Sequence, residues 1–402
     1  MQDKISAPSL EEIAAAFDLP GALSSGAPFG SGHINDTYRL DYTTGEGPRS
    51  FVLQRINTAI FKDPDRLMEN ILRVTRHQRT KLQENGAGEI HRRVLEFFPA
   101  RDGRFCHVDP EGGCWRLSLL VEGTHTCDII ESPEQAFLTA AAFARFQQTL
   151  VDLPGGRLHE TIPNFHNTAL RFADFEKAVR EDRAGRAAAV APEIDFALQR
   201  RHIAPVLVDL MRKGAVPERV THNDTKLNNI LLDDASGEAL CIIDLDTVMP
   251  GSALYDFGDM VRSSACTAAE DEADLTLVGV EMSMFEALAR GYLSVARVFL
   301  NPAEIQHLAF SGKLITFEQG IRFLGDYLNG DSYYKIKYPE HNLVRQKPVQ
   351  AGRLHRGTRG GDGGRGRRDR RITNRRSSSR RRELKGSAGG GGRSHPAGHE
   401  WT

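Results

Sequence analysis

Apolar positions along the 402-residue chain change from a strand-like to a helical period part of the way along. Ser9-Leu-Glu-Glu12 is a capping-box pattern and predicts a short helix through Ala16, ended by Pro20 and Gly21. Strand-like runs follow at His33 to Tyr42 and at Ser50 to Ile56, with Gly30-Ser-Gly32 just ahead of the first. Asp63-Pro64 opens a helix by N-cap and Pro-at-N1 logic, and Leu67, Ile71, Val74 and Gln78 carry its spacing to about Leu82. Arg93 to Phe98, Arg104 to Val108 and Trp115 to Val121 read as three more strands.

Beyond a connector at Val121-Glu-Gly123 the helical period dominates. Helices are predicted from Ser132-Pro133 to Leu150, and near Ala169 to Arg180, Ile194 to Arg212, Leu275 to Phe299 and Ala303 to Leu328. Short β-runs interrupt them at Arg219 to Thr221, Ile230 to Leu232 and Leu240 to Leu245. The fold class is therefore α+β, with a strand-rich N-terminal lobe (1–122) and a larger, mostly helical lobe (123–345). The rest of the chain (346–402) reads as a basic tail.

Composition changes the picture at the tail. The chain carries 52 Lys+Arg against 53 Asp+Glu, net −1. From Gln346 to Thr402, 14 Arg and 2 Lys stand against 2 Asp and 2 Glu, a balance of +12, so the first 345 residues carry −13. The tail is rich in Arg, Gly and Ser and poor in large apolar residues, which predicts disorder. Arg/Gly-rich segments bind RNA through phosphates, so nucleic-acid binding by the tail is one reading of function. No apolar run is long enough to span a bilayer, and no membrane association is expected. Met1 to Ser6 shows no secretory pattern, and the five cysteines form no C-x-x-C pair. Neither a disulfide framework nor a zinc ribbon is expected, and a reducing cytoplasm is the expected setting.

The chemistry concentrates in His222-Asn-Asp-Thr-Lys-Leu-Asn-Asn229 and Cys241-Ile-Ile-Asp-Leu-Asp246. One loop holds a carboxylate, a lysine and an amide, and a second carboxylate pair ends the next strand. Phosphoryl transfer uses this set: one carboxylate orients the attacking hydroxyl, while an amide oxygen and another carboxylate hold Mg²⁺. The spacing resembles the kinase catalytic loop H-x-D-x-x-x-x-N. The resemblance implies that Asp224 is the base, that Lys226 meets the transferring phosphate and that Asn229 and Asp244 are metal ligands. It also implies that His222 is structural, with Asp246 assisting at the metal.

No protein-kinase D-F-G or A-P-E stands in its usual place. Asp256-Phe-Gly258 lies inside Leu254-Tyr-Asp-Phe-Gly-Asp259, a placement that resembles the aminoglycoside phosphotransferase and choline kinase superfamily, with its bilobal protein-kinase-like fold. There such an aspartate starts a helix that braces the catalytic loop. Thr221 to Asn229, Ile243 to Gly251, Tyr255 to Asp259, Ile162 to Thr168 and Gly320 to Asp331 further resemble the N-acetylhexosamine 1-kinases, from about Phe29 to Arg345. These use ATP to phosphorylate the anomeric hydroxyl of GlcNAc or GalNAc.

The nucleotide side is less regular. Gly30, Ser31 and Gly32 stand where a kinase covers phosphate, although Gly-Ser-Gly is also an ordinary turn. On the second strand Gln54 occupies the register of the usual lysine, with Arg55 beside it. Either Gln54 replaces the lysine or a bulge turns Arg55 inward. Glu69 is a candidate partner for that cation, and Glu122 lies in the connector expected at the adenine. The resemblance implies sugar contacts from Arg322 and Tyr333, with His166 and Asn167 as weaker candidates.

The expected function is ATP- and Mg²⁺-dependent phosphorylation of a small-molecule sugar by a monomer or weak dimer. An aminoglycoside, choline or amino-acid hydroxyl is the alternative acceptor, which the acidic body suits. The resemblance stops after Arg345, where the family continues with another apolar helical stretch. The abrupt shift to Arg/Gly/Ser-rich sequence reads as translation in a shifted frame of GC-rich DNA. A family-like apolar helix is expected in one alternative frame of the gene after Arg345, and finding none in either frame defeats the idea.

Overall fold

The computed structural model describes residues 9–30, 34–266, 272–274, 276–277 and 279–351. All of them fall within one compact unit. The chain begins with α1 (Leu10–Ala14), closed by the capping box between Ser9 and Glu12. Three antiparallel strands follow, β1 (Ala22–Pro28), β2 (Asp36–Thr44) and β3 (Gly47–Ile56). β1 gives little signal in sequence because its residues are small and of low strand propensity. It forms as an edge strand on β2, and at Gly21 just ahead of it φ is +88° and a Cβ would meet the Thr43 carbonyl oxygen.

Next comes α2 (Pro64–Glu84), capped by Asp63 as its sequence predicts. Part of the strand expected over Arg93 to Phe98 is instead the helical turn α3 (Ile90–Arg93), and only β4 (Phe97–Phe98) pairs. The charges of this stretch are drawn sideways: Arg92 bonds Asp233 at 2.7 Å and Arg93 bonds Glu238 at 3.0 Å. β5 (His107–Val108) and β6 (Cys114–Leu119) complete a sheet of order β1-β2-β3-β6-β4, with β5 also on β6. The turn between β5 and β6 brings Cys106 and Cys114 together as a disulfide, Cα to Cα 5.9 Å, where free thiols were expected.

Beyond the connector lie β7 (Thr124–His125), α4 (Pro133–Thr149) and α5 (Thr168–Glu181). The single helix expected over Ile194 to Arg212 is two, α6 (Ala191–Gln199) and α7 (Val206–Arg212), parted by a 3₁₀ turn at Arg201–Ile203. Pro205 is the reason, since it lacks an N–H and its ring crowds the preceding turn. β8 (Arg219–Thr221), β9 (Ile230–Asp233), β10 (Ala239–Ile242) and β11 (Met249–Gly251) frame the candidate site. β9 sits between β10 and β7, and β11 pairs with β8.

The rest is helical: α8 (Ala253–Ser264), α9 (Met282–Ala296), α10 (Pro302–Leu328) and α11 (His341–Ala351). α9 starts later than Leu275 because Glu281 caps it, accepting the Ser283 N–H. α11 runs past the boundary expected after Arg345, and Gln346 is buried. The disorder and nucleic-acid binding expected of the tail lie outside the described residues.

Two cores lie on either side of the sheet-and-helix junction. Leu40, Phe51, Leu53, Trp115 and Leu117 bury the outer face of the sheet under α1. On its other face Ile56 joins Leu67, Met68, Ile71 and Val74 of α2, Phe146 of α4, and Leu245 and Val248. The large helical core centres on α4, α8, α9 and α10. α8 lies close against α10: a Cβ at Gly258 would sit 2.6 Å from the Ser311 carbonyl oxygen. Gly258→Ala is expected to destabilise the protein by about 1–3 kcal/mol through overpacking, read as a lowered midpoint in urea unfolding.

Candidate active site

The loop joining β8 to β9 is held from beneath. Asp256, fully buried in the first turn of α8, accepts the backbone N–H of Asn223 at 2.7 Å and of His222 at 3.0 Å. Gln147 of α4 donates to the same carboxylate. Asp259, one turn on, accepts the Thr225 N–H at 2.9 Å, and the Thr225 hydroxyl donates to the Asp256 carbonyl. The brace expected of Asp256 is therefore two carboxylates on one face of α8.

His222 ties this loop to the next. Its ring lies between Phe143 and Phe146, Nε2 donates to the Ile243 carbonyl at 2.9 Å, and Nδ1 accepts the Asp224 N–H at 3.3 Å. Asn223 takes a left-handed conformation at φ +63°, and its amide donates to the Thr247 carbonyl. Asp244, at φ +56°, turns the chain out of β10.

Asp224, Lys226 and Asn229 form one hydrogen-bonded group. Lys226 Nζ is 2.9 Å from Asp224 Oδ1, and Asn229 Nδ2 donates to Asp224 Oδ2 at 3.0 Å. Burial works against the Asp224 charge, but Lys226, His222 and Arg262 outweigh it and hold the carboxyl below its usual range. The same pairing raises Lys226. Asp224 is thus an ionised acceptor with both oxygens oriented.

Asp244 differs. It is open to solvent at the surface of the cleft, yet enclosed enough that burial, with Asp246 and Asp224 nearby, pushes its carboxyl up to about 6. Among the described residues no donor meets it, and Asn229 keeps Oδ1 free because its amide N–H faces Asp224. An unpaired carboxylate and an amide oxygen suit a hard divalent cation that keeps several waters. No cluster of three His, Cys, Asp or Glu stands among the described residues, so two protein ligands is the extent of the fit.

Asp246, expected to assist at a metal, has both oxygens taken. Arg116 Nη1 donates to Oδ1 at 2.5 Å, and Asn35 Nδ2 donates to Oδ2 at 2.6 Å. The sheet also settles the choice between Gln54 and Arg55. β3 pairs β6 without a register shift from Phe51 to Ile56, so no bulge turns Arg55 inward. Arg55 lies on the outer face over Trp115, and Gln54 faces the cleft and accepts from Arg116 at 3.0 Å. Glu69 pairs with His159 at 2.9 Å, not with a strand cation. Its neighbour Asn70, fully buried, bridges instead, donating to the His159 and Val248 carbonyls.

Of the other expected contacts, Gly30 has φ +78° with open space around it, and Ser31 and Gly32 lie outside the described residues. Glu122 is exposed, and its carbonyl is 3.3 Å from the Arg92 guanidinium. Arg322 and Tyr333 lie near one another: the Arg322 guanidinium donates to Gln319 Oε1 at 3.2 Å and lies over the Phe165 and Tyr334 rings, and Tyr333 meets Tyr334 edge to face at 4.8 Å. Asp326 shapes that segment by accepting the N–H groups of Ser332, Tyr333 and Tyr334. His166 is buried, with Nδ1 on Glu318 at 2.8 Å and Nε2 on the Asn223 carbonyl at 3.2 Å, so it links α10 to the catalytic loop. Asn167 caps α5. Sequence reasoning missed Asn35, Arg116 and Gln147, whose partners stand 211, 130 and 109 residues away.

Two cavities of about 210 and 190 Å³ lie behind the loop, around Gln147, Val220 and Pro250 and around His166, Asn223 and Tyr255. Neither is lined by Asp224 or Asp244.

The phosphotransferase enzyme family model matches residues 25–293. Among solved structures, the chain is similar to an aminoglycoside phosphotransferase from Alicyclobacillus acidocaldarius at 13% identity and TM-score 0.53, over 87% of this chain and 96% of that one. It is also similar to a Plasmodium vivax ethanolamine kinase (14% identity, TM-score 0.51, 81% and 82% covered). A microcompartment-associated aminopropanol kinase gives 16% identity and TM-score 0.50 over 85% and 93%. At these identities the likeness is one of fold, and it agrees with the strand-rich and helical lobes described above.

Because the Asp244 carboxyl is raised, the folded protein holds its proton above the ordinary range. The stability gained from the protonated form is present at low pH and is lost as pH rises through about 6. A cation competes with that proton. Mn²⁺ affinity, measured by electron paramagnetic resonance, is expected to fall about tenfold per pH unit below about 6 and to level off above it. Asp244→Asn is expected to weaken binding and flatten the profile.

Proposed function

The chain belongs to the phosphotransferase enzyme family, and from that premise we propose that it is an ATP- and Mg²⁺-dependent kinase that phosphorylates the anomeric hydroxyl of an N-acetylhexosamine. The observation that carries transfer to a hydroxyl is the group Asp224–Lys226–Asn229, with Asp244 facing it. Asp224 would accept the hydrogen bond of the C1 hydroxyl, align it with the phosphorus and take its proton as the new bond forms. Lys226, 2.9 Å from Asp224, keeps that carboxylate ionised and sets positive charge beside the transferring group. Mg²⁺, held by Asn229 Oδ1 and Asp244, would neutralise phosphate charge. The need for ATP is the reason to place the protein in the cytoplasm.

The acceptor side favours a neutral, hydroxyl-rich molecule over an amine. Arg322 remains firmly charged: burial works against it, but Tyr334, Glu318 and Tyr333 outweigh the burial. Glu318 already serves His166 and Thr168 at 2.8 and 2.5 Å. Arg171, lowered by burial and by Arg322, adds another cation. A cationic acceptor would meet repulsion here, whereas a sugar finds donors and the faces of Phe165, Tyr333 and Tyr334. The overall charge of −13 in the first 345 residues is therefore not a guide to this corner.

Two measurements test the reading. Asp224→Asn is expected to lower kcat by at least about a thousandfold while ADP affinity changes by no more than a few fold. Near-normal turnover in that variant defeats the assignment. In a screen with ATP, GlcNAc or GalNAc is expected to be phosphorylated, with choline, ethanolamine and kanamycin inert. Turnover of an amine and not of either sugar reverses the substrate assignment.

A further inference from the structure

The cation that a kinase carries on the strand corresponding to β3 is not aimed into the cleft from β3. Gln54 stands in that register, and the unbroken pairing with β6 leaves Arg55 on the far face. The residue directly opposite Gln54 on β6 is Arg116, on the cleft face, with its side chain 3% exposed. Its guanidinium is fixed on two sides, by Gln54 Oε1 at Nε and by Asp246 Oδ1 at Nη1. Phe97 covers a third direction, its ring centroid 5.8 Å from Cζ. Among the described residues no acceptor meets Nη2.

Asp246 places this group. It lies two residues after Asp244, and its second oxygen accepts from Asn35, which follows the Gly30 turn. Asn35 also accepts the Asn57 N–H at the end of β3. One carboxylate thus joins the loop after Gly30, the guanidinium and the turn that carries Asp244. A positive charge aimed between a glycine-containing loop and a cation site stands where the phosphates of a nucleotide would lie.

Resting on the kinase reading above, we propose that Arg116 supplies from β6 the positive charge that meets the nucleotide's phosphates, with Gln54 and Asp246 as positioning residues that aim it. Arginine suits the task because strands are about 4.8 Å apart, and its planar fork can hold two protein acceptors and still offer N–H to a phosphate. No residue of β3 is then required for phosphate binding, which is why Gln54 is tolerated there.

Binding of ADP and of adenosine to the whole chain tests this without turnover. Arg116→Gln alone leaves Asp246 as an unpaired buried charge and is expected to fold poorly, so the second variant is Arg116→Gln with Asp246→Asn, which removes both charges. In whichever variant folds, isothermal titration is expected to show ADP binding weakened at least about tenfold and adenosine binding unchanged. Arg116→Lys, which keeps the charge on a single point, is expected to recover part of the ADP affinity. Equal ADP binding in the double variant and the parent overturns the proposal. So does an equal loss for ADP and adenosine, which marks a structural role. A parent chain that binds neither ligand refutes the kinase reading itself, and this inference with it.

Discussion

The structure depends on a carboxylate that never reaches the solvent. Asp256 lies in the first turn of α8 and takes the N–H groups of His222 and Asn223 together with the Gln147 amide. Burial drives its carboxyl upward, and those three donors with the nearby His222 work to keep it charged. A helix N-terminus is the natural place for a buried anion, because unpaired N–H groups and the helix dipole both favour negative charge there. With the loop fixed at residues 222 and 223, Asp224 emerges at a set point and direction. The close packing of Gly258 against α10 then fixes α8, so the position of Asp224 traces back to the helical core.

A second buried carboxylate performs the corresponding task between the sheet and the helical part. Asp246 receives Arg116 from β6 and Asn35 from the loop before β2. Nearby, Asn70 of α2 joins the carbonyls of His159 and Val248, within the apolar cluster that α2 shares with Leu245. Polar pairing and apolar burial converge on the short stretch from Leu245 to Val248. The turn that carries Asp244 is therefore held from both sides, while Asp244 itself is left without a donor among the described residues. Its raised carboxyl is the electrostatic consequence, and cation binding is the use that the arrangement suits.

The charges of the site are sorted by place. Around Asp224 and Asp244 the carboxylates dominate, with Lys226 paired to Asp224. Around Arg322 the cations dominate, because Glu318 is already engaged by His166 and Thr168. His166 touches both regions, reaching the Asn223 carbonyl on one side and Glu318 on the other. The α10 segment and the β8–β9 loop are therefore mechanically joined through one buried imidazole.

Local sequence determined the parts of this protein that rest on near neighbours. The capping box at Ser9 and the helix from Asp63-Pro64 were legible because spacing along the chain sets their hydrogen bonds, whereas the brace at Asp256, 34 residues from His222, was legible only through the family resemblance. The family itself was legible from the spacing of its motifs. Edge strand β1 and the break between α6 and α7 were not read, the first because only pairing with β2 makes it a strand. The identity of the residue opposite Gln54 was invisible as well: it depends on the register between strands 62 residues apart, a tertiary quantity. So did the assignment of Asp246 to Arg116 and Asn35, and of Glu69 to His159. Residue type and spacing decide which groups are available for chemistry. Only the packed chain decides which of them are already satisfied by one another, and so which remain free to act.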